Sequence, residues 1–279
     1  MTGSSATTDD RTTEPAPAAT PVTGTTPWRT AIADSHDGHI RLRGYDVTAL
    51  MGGRTFADTI FLLHQGRLPS DAERQLLNSI LTACSDHGPG SPSCATARLA
   101  ASGNRQSLSA AIAAGILAIG NDHGGAGEAC MEVIASGLAR MHRDGVSIDE
   151  AAQRELAALR TAGQRMPGFG HRVHAVDPRT TVLFEQARRG QVAGEGVAFI
   201  EAVDRALRTA GKTLPINIDG ALAAILHDLG FPPAFGKLVF IIGRVAGLSA
   251  EVLEEYTREK PMRIRIPVQY DGAGPRELP

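Results

Sequence analysis

The sequence predicts an all-α protein, and three observations carry that expectation. Apolar residues recur at helical spacing along most of the chain, helix starts and stops are punctuated by capping residues, glycine and proline, and only one short stretch alternates like a strand. Met1 to Pro27 holds four prolines and almost no large apolar side chain, so residues 1–27 are expected to be a disordered tail that cannot offset its ordering entropy. Order is expected over 28–279. The strand candidate is His39 to Arg43, bounded by the turn signals Asp37-Gly38 and Gly44, and it stands nearly alone. Gly66 and Pro69 close a helix, and Ser70 with Glu73 opens the next as a capping box. Ala110 to Gly120, the longest apolar run, suits a buried helix with the stripe Leu108, Ile112, Ile116 and Ile119. Met131, Ile134, Leu138 and Met141 form another stripe, and Ser147 with Glu150 reads as a second capping box. Leu222, Ile225, Leu226 and Leu229, then Phe235, Leu238, Val239 and Ile242, define two late helices separated by Gly230 and Pro232-Pro233 and closed by Pro261. The sum is about nine helices. With aromatic residues at 4%, their core must consist of Leu, Ile, Val and Ala.

Composition narrows the function. With 28 Lys+Arg against 30 Asp+Glu, no basic excess is present to neutralise a phosphate backbone, so nucleic acid is not an expected partner. No run reaches the roughly 20 apolar residues of a membrane span, and no membrane association is expected. Cys84, Cys94 and Cys130 are odd in number and lack metal-ligand spacing, which points to a reducing cytoplasm, no disulfides and no metal.

Four polar, glycine-containing segments interrupt the apolar pattern, around His87, around His123, at Pro167 to Arg172, and at Asn217 to Gly220. A single histidine at a helix start has an ordinary role as a cap. In the third segment Pro167, Gly168, Phe169 and Gly170 form a tight loop whose amides suit a phosphate or nucleobase. His171 and Arg172 follow, with Arg179 two turns beyond, so the stretch offers one proton-transfer group and two cations to an anionic substrate. Asp219 is either the N-cap of a helix over 220–229 or a general base. Arg244, inside an apolar helix over 235–248, must meet a buried carboxylate or a substrate carboxylate. The cysteines read as small core residues, and His64, His174 and His227 receive no role.

In order along the chain, Gly44-Tyr45-Asp46, Leu62-Leu63 with Gly66 to Pro69, His123-Gly124-Gly125-Ala126, Pro167 to Val173, Asp177-Pro178-Arg179 and Asn217-Ile218-Asp219 resemble motifs of the citrate synthase family. The resemblance implies that family's all-helical fold with an abbreviated large domain, a small domain at about residues 160–250, and a homodimer. It makes Asp219 the base at the acetyl-CoA methyl, His123 the donor to the thioester oxygen, and His171 the group at the oxo-acid ketone or hydroxyl. His87, Arg179, Arg244 and Arg265 would hold the oxo acid. Pro167, Gly168, Phe169, Gly170 and Arg172 would receive coenzyme A, which is substrate rather than tightly bound cofactor. Only Ser70 to Ser85 separates Pro69 from Asp86-His87, and in this brevity the chain resembles the citryl-CoA lyase module of ATP-citrate lyase. Cys84 stands where synthases usually have a histidine, and Pro267 where they have the arginine lent to the neighbouring subunit. The implied activity is cleavage of a 3-hydroxy-3-carboxyacyl-CoA. The alternatives are a short citrate or 2-methylcitrate synthase and a non-catalytic CoA-binding homologue.

Overall fold

The computed structural model describes residues 28–170 and 177–279, so the expected tail at 1–27 and the segment beginning at His171 and Arg172 lie outside the described residues. The chain begins with three antiparallel strands, β1 (Ala33–His36), β2 (His39–Leu42) and β3 (Tyr45–Asp46), in the order β1-β2-β3. The expected lone strand is therefore the centre of a small sheet. Asp37 and Gly38 join β1 to β2 with φ of 54° and 74°, the paired positive values that a two-residue hairpin turn requires.

Eleven helices follow among the described residues: α1 (Val47–Gly53), α2 (Phe56–Gln65), α3 (Asp71–Cys84), α4 (Pro92–Gly103), α5 (Leu108–Leu117), α6 (Ala126–Asp144), α7 (Ile148–Thr161), α8 (Pro178–Arg189), α9 (Glu195–Thr209), α10 (Ile218–Asp228) and α11 (Phe235–Arg258). The excess over the nine expected includes pieces such as α1, whose one buried residue, Leu50, shows no stripe to read. Ser70 and Glu73 form the full capping box that starts α3. At α7 only half of the expected box forms: Ser147 accepts from the Glu150 amide, while the Glu150 carboxylate turns to Arg154. Thr55 and Asp58 make an unforeseen complete box on α2.

The core centres on α10, where Ala221 through Leu226 are all buried against α6, α8 and α9. Cys84 and Cys130 lie in this core, and Cys94 lies in a smaller cluster between α4, α5 and α11. Helix α5 departs from expectation. Its small residues Ala111 and Gly115 pack against α4, where a Gly115 side chain would meet the Ser93 carbonyl, but Leu108 and Leu117 point outward, Leu117 at 85% exposure. Among the described residues, no helix is long and apolar enough to cross a membrane.

Candidate active site

The site forms where the starts of four helices meet the side of α11. Asn217 caps α10 by accepting from the amides of Asp219 and Gly220 at 3.0 and 3.2 Å. The cap is thus Asn217, not Asp219, which frees the Asp219 side chain. Its carboxylate has no hydrogen-bond partner among the described residues. Burial raises its pKa above the ordinary carboxylate value, an effect that Arg179 opposes and Asp177 reinforces.

Gly168 and Gly220 set this geometry by letting two backbones touch. Gly168 has φ of 79°, and a Cβ on it would stand 2.6 Å from the Gly220 Cα. Its carbonyl accepts from the Asn217 amide at 3.0 Å, and the Gly170 amide donates to the Pro215 carbonyl at 2.8 Å. The loop amides expected to meet a ligand are therefore partly spent on positioning α10. Gly220→Ala should lower the unfolding free energy by about 1–3 kcal/mol through overpacking, seen as a fall in the thermal midpoint together with loss of turnover.

His87 follows α3 and lies between two arginines. Arg179 Nη1 is 2.8 Å from His87 Nε2, and Arg244 Nη2 contacts Nδ1. Desolvation, then the charges of Arg244 and Arg179, push the imidazole down to about 4, so the ring is neutral. A neutral imidazole has one lone pair, and guanidiniums only donate. One arginine N–H is therefore left without an acceptor, and an anionic oxygen would satisfy it. The two arginines differ in available charge. Arg179 is paired with Asp177 through Nε to Oδ1 at 3.0 Å and Nη2 to Oδ2 at 2.9 Å. Arg244 is fully buried and donates to the Cys84 carbonyl at 3.1 Å and to Ser93 Oγ at 2.9 Å, with no carboxylate partner among the described residues.

Ser93, at the start of α4, then connects Arg244 to His123. His123 Nε2 is 3.3 Å from the Ser93 amide and 2.9 Å from Ser93 Oγ. An amide only donates, so Nε2 carries the lone pair and the proton sits on Nδ1. Burial and Arg244 both lower the His123 pKa, which keeps the ring neutral. Phe240 packs against the group, stacked on His87, edge-on to His123 and under the Arg244 guanidinium. Ser93 and Phe240 escaped the sequence reading. Pro92 in the first turn of α4 and the i, i+4 spacing of Phe240 to Arg244 were the available signals.

His87, His123, Arg179, Asn217 and Asp219 line one cavity of about 260 Å³. Phe169 and Gly170 line a larger one of about 980 Å³ with Arg160, Arg165 and Lys212 at its wall. Arg265 lies exposed in the C-terminal segment and lines neither cavity.

Residues 69–265 match the family defined by the citrate synthase C-terminal domain. The chain belongs to the citrate synthase family. Among solved citrate synthase-family structures, citryl-CoA lyase from Hydrogenobacter thermophilus is 39% identical with a TM-score of 0.83, over 90% of this chain and 97% of that one. Citrate synthase 2 of Bacillus subtilis (strain 168) is 28% identical over 223 residues, which are 78% of this chain and 56% of the relative. The chain thus spans little more than half the length of the curated relatives it matches. ATP citrate lyase from Methanosaeta concilii, at 19% identity and TM-score 0.71 over 89% of this chain and 43% of that one, shares the fold.

Proposed function

We propose that the protein is a carbon–carbon lyase that cleaves a 3-hydroxy-3-carboxyacyl-CoA, such as citryl-CoA, to acetyl-CoA and a 2-oxo acid such as oxaloacetate. The observation that carries this reading is an unpartnered carboxylate with a raised pKa sharing one cavity with a neutral histidine whose proton is fixed on Nδ1. His171, by its place in the motif, takes the hydroxyl proton. As the carbon–carbon bond breaks, its electrons move onto the acetyl thioester, and His123 Nδ1–H stabilises the enolate oxygen. Asp219 then delivers a proton to the methylene carbon. Arg244, Arg179 and His87 hold the oxo-acid carboxylates. Coenzyme A reaches the larger cavity, where Phe169 and Gly170 meet its adenosine end and Arg160, Arg165 and Lys212 its phosphates. No resident cofactor or metal is needed. The match to citryl-CoA lyase, at 39% identity and a TM-score of 0.83 against 28% identity for the curated synthase, supports cleavage over a synthase's condensation and hydrolysis.

Incubation with synthetic citryl-CoA, followed by mass spectrometry, tests this. Acetyl-CoA and oxaloacetate are expected. Citrate with free CoA would mean a hydrolysing synthase, and unchanged citryl-CoA a different substrate or a binding protein.

Two further outcomes follow from the site. Ser93→Ala removes the hydroxyl between Arg244 and His123, so kcat should fall about 10-fold or more, since a hydrogen bond to a charged group is worth about 1.5–3 kcal/mol, while KM for the CoA thioester barely moves in steady-state assays. Cleavage uses protonated Asp219, so its rate should fall as pH rises through a pKa that burial has raised. Condensation uses the carboxylate form and should rise over the same interval. Parallel pH profiles in both directions would sink the assignment of Asp219.

A further inference from the structure

Lys237 stands beside the site without a part in the chemistry assigned above. It lies in the first turn of α11, and Phe240 and Arg244 follow it at i+3 and i+7 on the same face of that helix. Gly236 brings it close, since a Cβ there would stand 2.6 Å from the Glu128 amide nitrogen, and α11 therefore begins in backbone contact with the first turn of α6. Lys237 Nζ is ion-paired with Glu128 and donates to Asn121 Oδ1 at 3.2 Å. An ammonium can only donate, so the carbonyl side of the Asn121 amide faces Lys237 and its Nδ2 points the other way.

Asn121 belongs to the tight turn that carries His123. The Gly120 amide donates to the His123 carbonyl at 3.0 Å, the His123 amide returns a bond to the Gly120 carbonyl at 3.3 Å, and Asn121 and His123 both line the smaller cavity. Most polar side chains around that cavity are already engaged. Asn217 spends Nδ2 on the Gly170 carbonyl at 3.0 Å and Oδ1 on two amides. Arg179 is held by Asp177 and His87. Asn121 Nδ2 has no partner among the described residues, which makes it an uncharged donor open to the cavity.

We propose that Asn121 is a second catalytic donor to the thioester oxygen, beside His123, and that Lys237 is the positioning residue that aims it; the proposal rests on the cleavage reaction assigned above. An enolate oxygen accepts more than one hydrogen bond, and His123 Nδ1 supplies one. Negative charge grows on that oxygen as the carbon–carbon bond breaks, so a donor already aimed there acts without reorganisation. Asn121 is placed for this. It shares a turn with His123, the fold does not consume its N–H groups, and its orientation is fixed from behind by an ammonium that does not line the cavity. Because the amide is uncharged, it does not compete with Arg244 and Arg179 for the substrate carboxylates. Helix α11 then serves the whole site from one face, with Lys237 setting Asn121, Phe240 packed on His123 and Arg244 bonded to Ser93.

Asn121→Leu keeps the side-chain size and removes the donor, and it is tested on the full chain. Its kcat for citryl-CoA cleavage is expected to fall about 100-fold, the usual cost of losing one such donor, with KM little changed. Lys237→Met is expected to lose about 10-fold and Lys237→Arg to recover most of it, while Lys237→Met adds nothing in the Asn121→Leu background because it acts through that residue. A readout independent of turnover is the carbonyl stretch of bound acetyl-CoA, isotopically labelled at the thioester carbon and followed by infrared difference spectroscopy. Hydrogen bonds lower that frequency. It is expected to be lowest in wild type and to rise in Asn121→Leu and Lys237→Met, with the His123 ring nitrogens unmoved by NMR, so that a displaced His123 is excluded as the cause. An Asn121→Leu protein with the wild-type stretch, or with the wild-type kcat, would overturn the proposal. If wild type leaves citryl-CoA intact, the assigned reaction fails, and the stretch of bound acetyl-CoA still decides whether Asn121 donates to that oxygen. A wild-type protein that does not bind acetyl-CoA would overturn both.

Discussion

Asp219→Asn is expected to reduce turnover of citryl-CoA by about 10²–10⁴, the usual worth of a positioned proton-transfer group. Asparagine keeps the shape and the cap by Asn217 is independent of it, so CoA affinity measured by calorimetry should stay within about twofold. That pairing of results separates an enzyme from a homologue that only binds CoA, for which no turnover exists to lose. A second readout comes from stability. Burial raises the folded-state pKa of Asp219, so the ionised carboxylate costs folding free energy at pH values above its unfolded pKa, and the cost disappears below it. Asp219→Asn should therefore raise the thermal midpoint at neutral pH and leave it unchanged near pH 3 (roughly one unit below the unfolded pKa). A variant that loses activity without this gain would indicate damage to the fold rather than removal of a catalytic group.

The helical fold was legible in the sequence because its signals are local. Stripes of apolar residues mark α6, α10 and α11, and the Ser70–Glu73 box fixes the start of α3. The site was legible as four interrupted segments. What joins them was hidden, because contacts across the fold leave no mark on spacing. Ser93 touches His123 and Arg244, residues 30 and 151 positions away, and Pro92 marks the start of α4 but not those contacts. For a related reason the sequence leaves Asp219 open between N-cap of α10 and base. Asn217 and Asp219 are both good caps, and the choice is made by Gly168, whose carbonyl takes the Asn217 amide from another segment. The buried position expected for α5 failed because the run is apolar on more faces than α4 and α11 cover. Arg244 was read as a cation that must meet a buried carboxylate or a substrate carboxylate, and the described residues contain no carboxylate bound to it.

Arg244→Met tests that last point, and its effect should exceed that of Arg179→Met. Both guanidiniums touch His87, but the Arg179 charge is already balanced by Asp177 at 2.9 and 3.0 Å, whereas Arg244 is fully buried with only neutral acceptors. In the proposed reaction a substrate carboxylate would supply the missing counter-charge, and losing one partner of a buried charge pair costs about 2–5 kcal/mol. The KM of Arg244→Met for oxaloacetate in condensation should rise about 30-fold or more, with the CoA thioester little affected. Oxaloacetate should raise the thermal midpoint of wild type and leave that of the variant where it was. His87 reports the same loss independently: with one of the two guanidinium charges gone, its titration, followed by NMR of the ring protons, should move up from about 4. If Arg179→Met proved the more damaging of the two, Arg244 would be a structural strut and the carboxylate would belong elsewhere in the cavity.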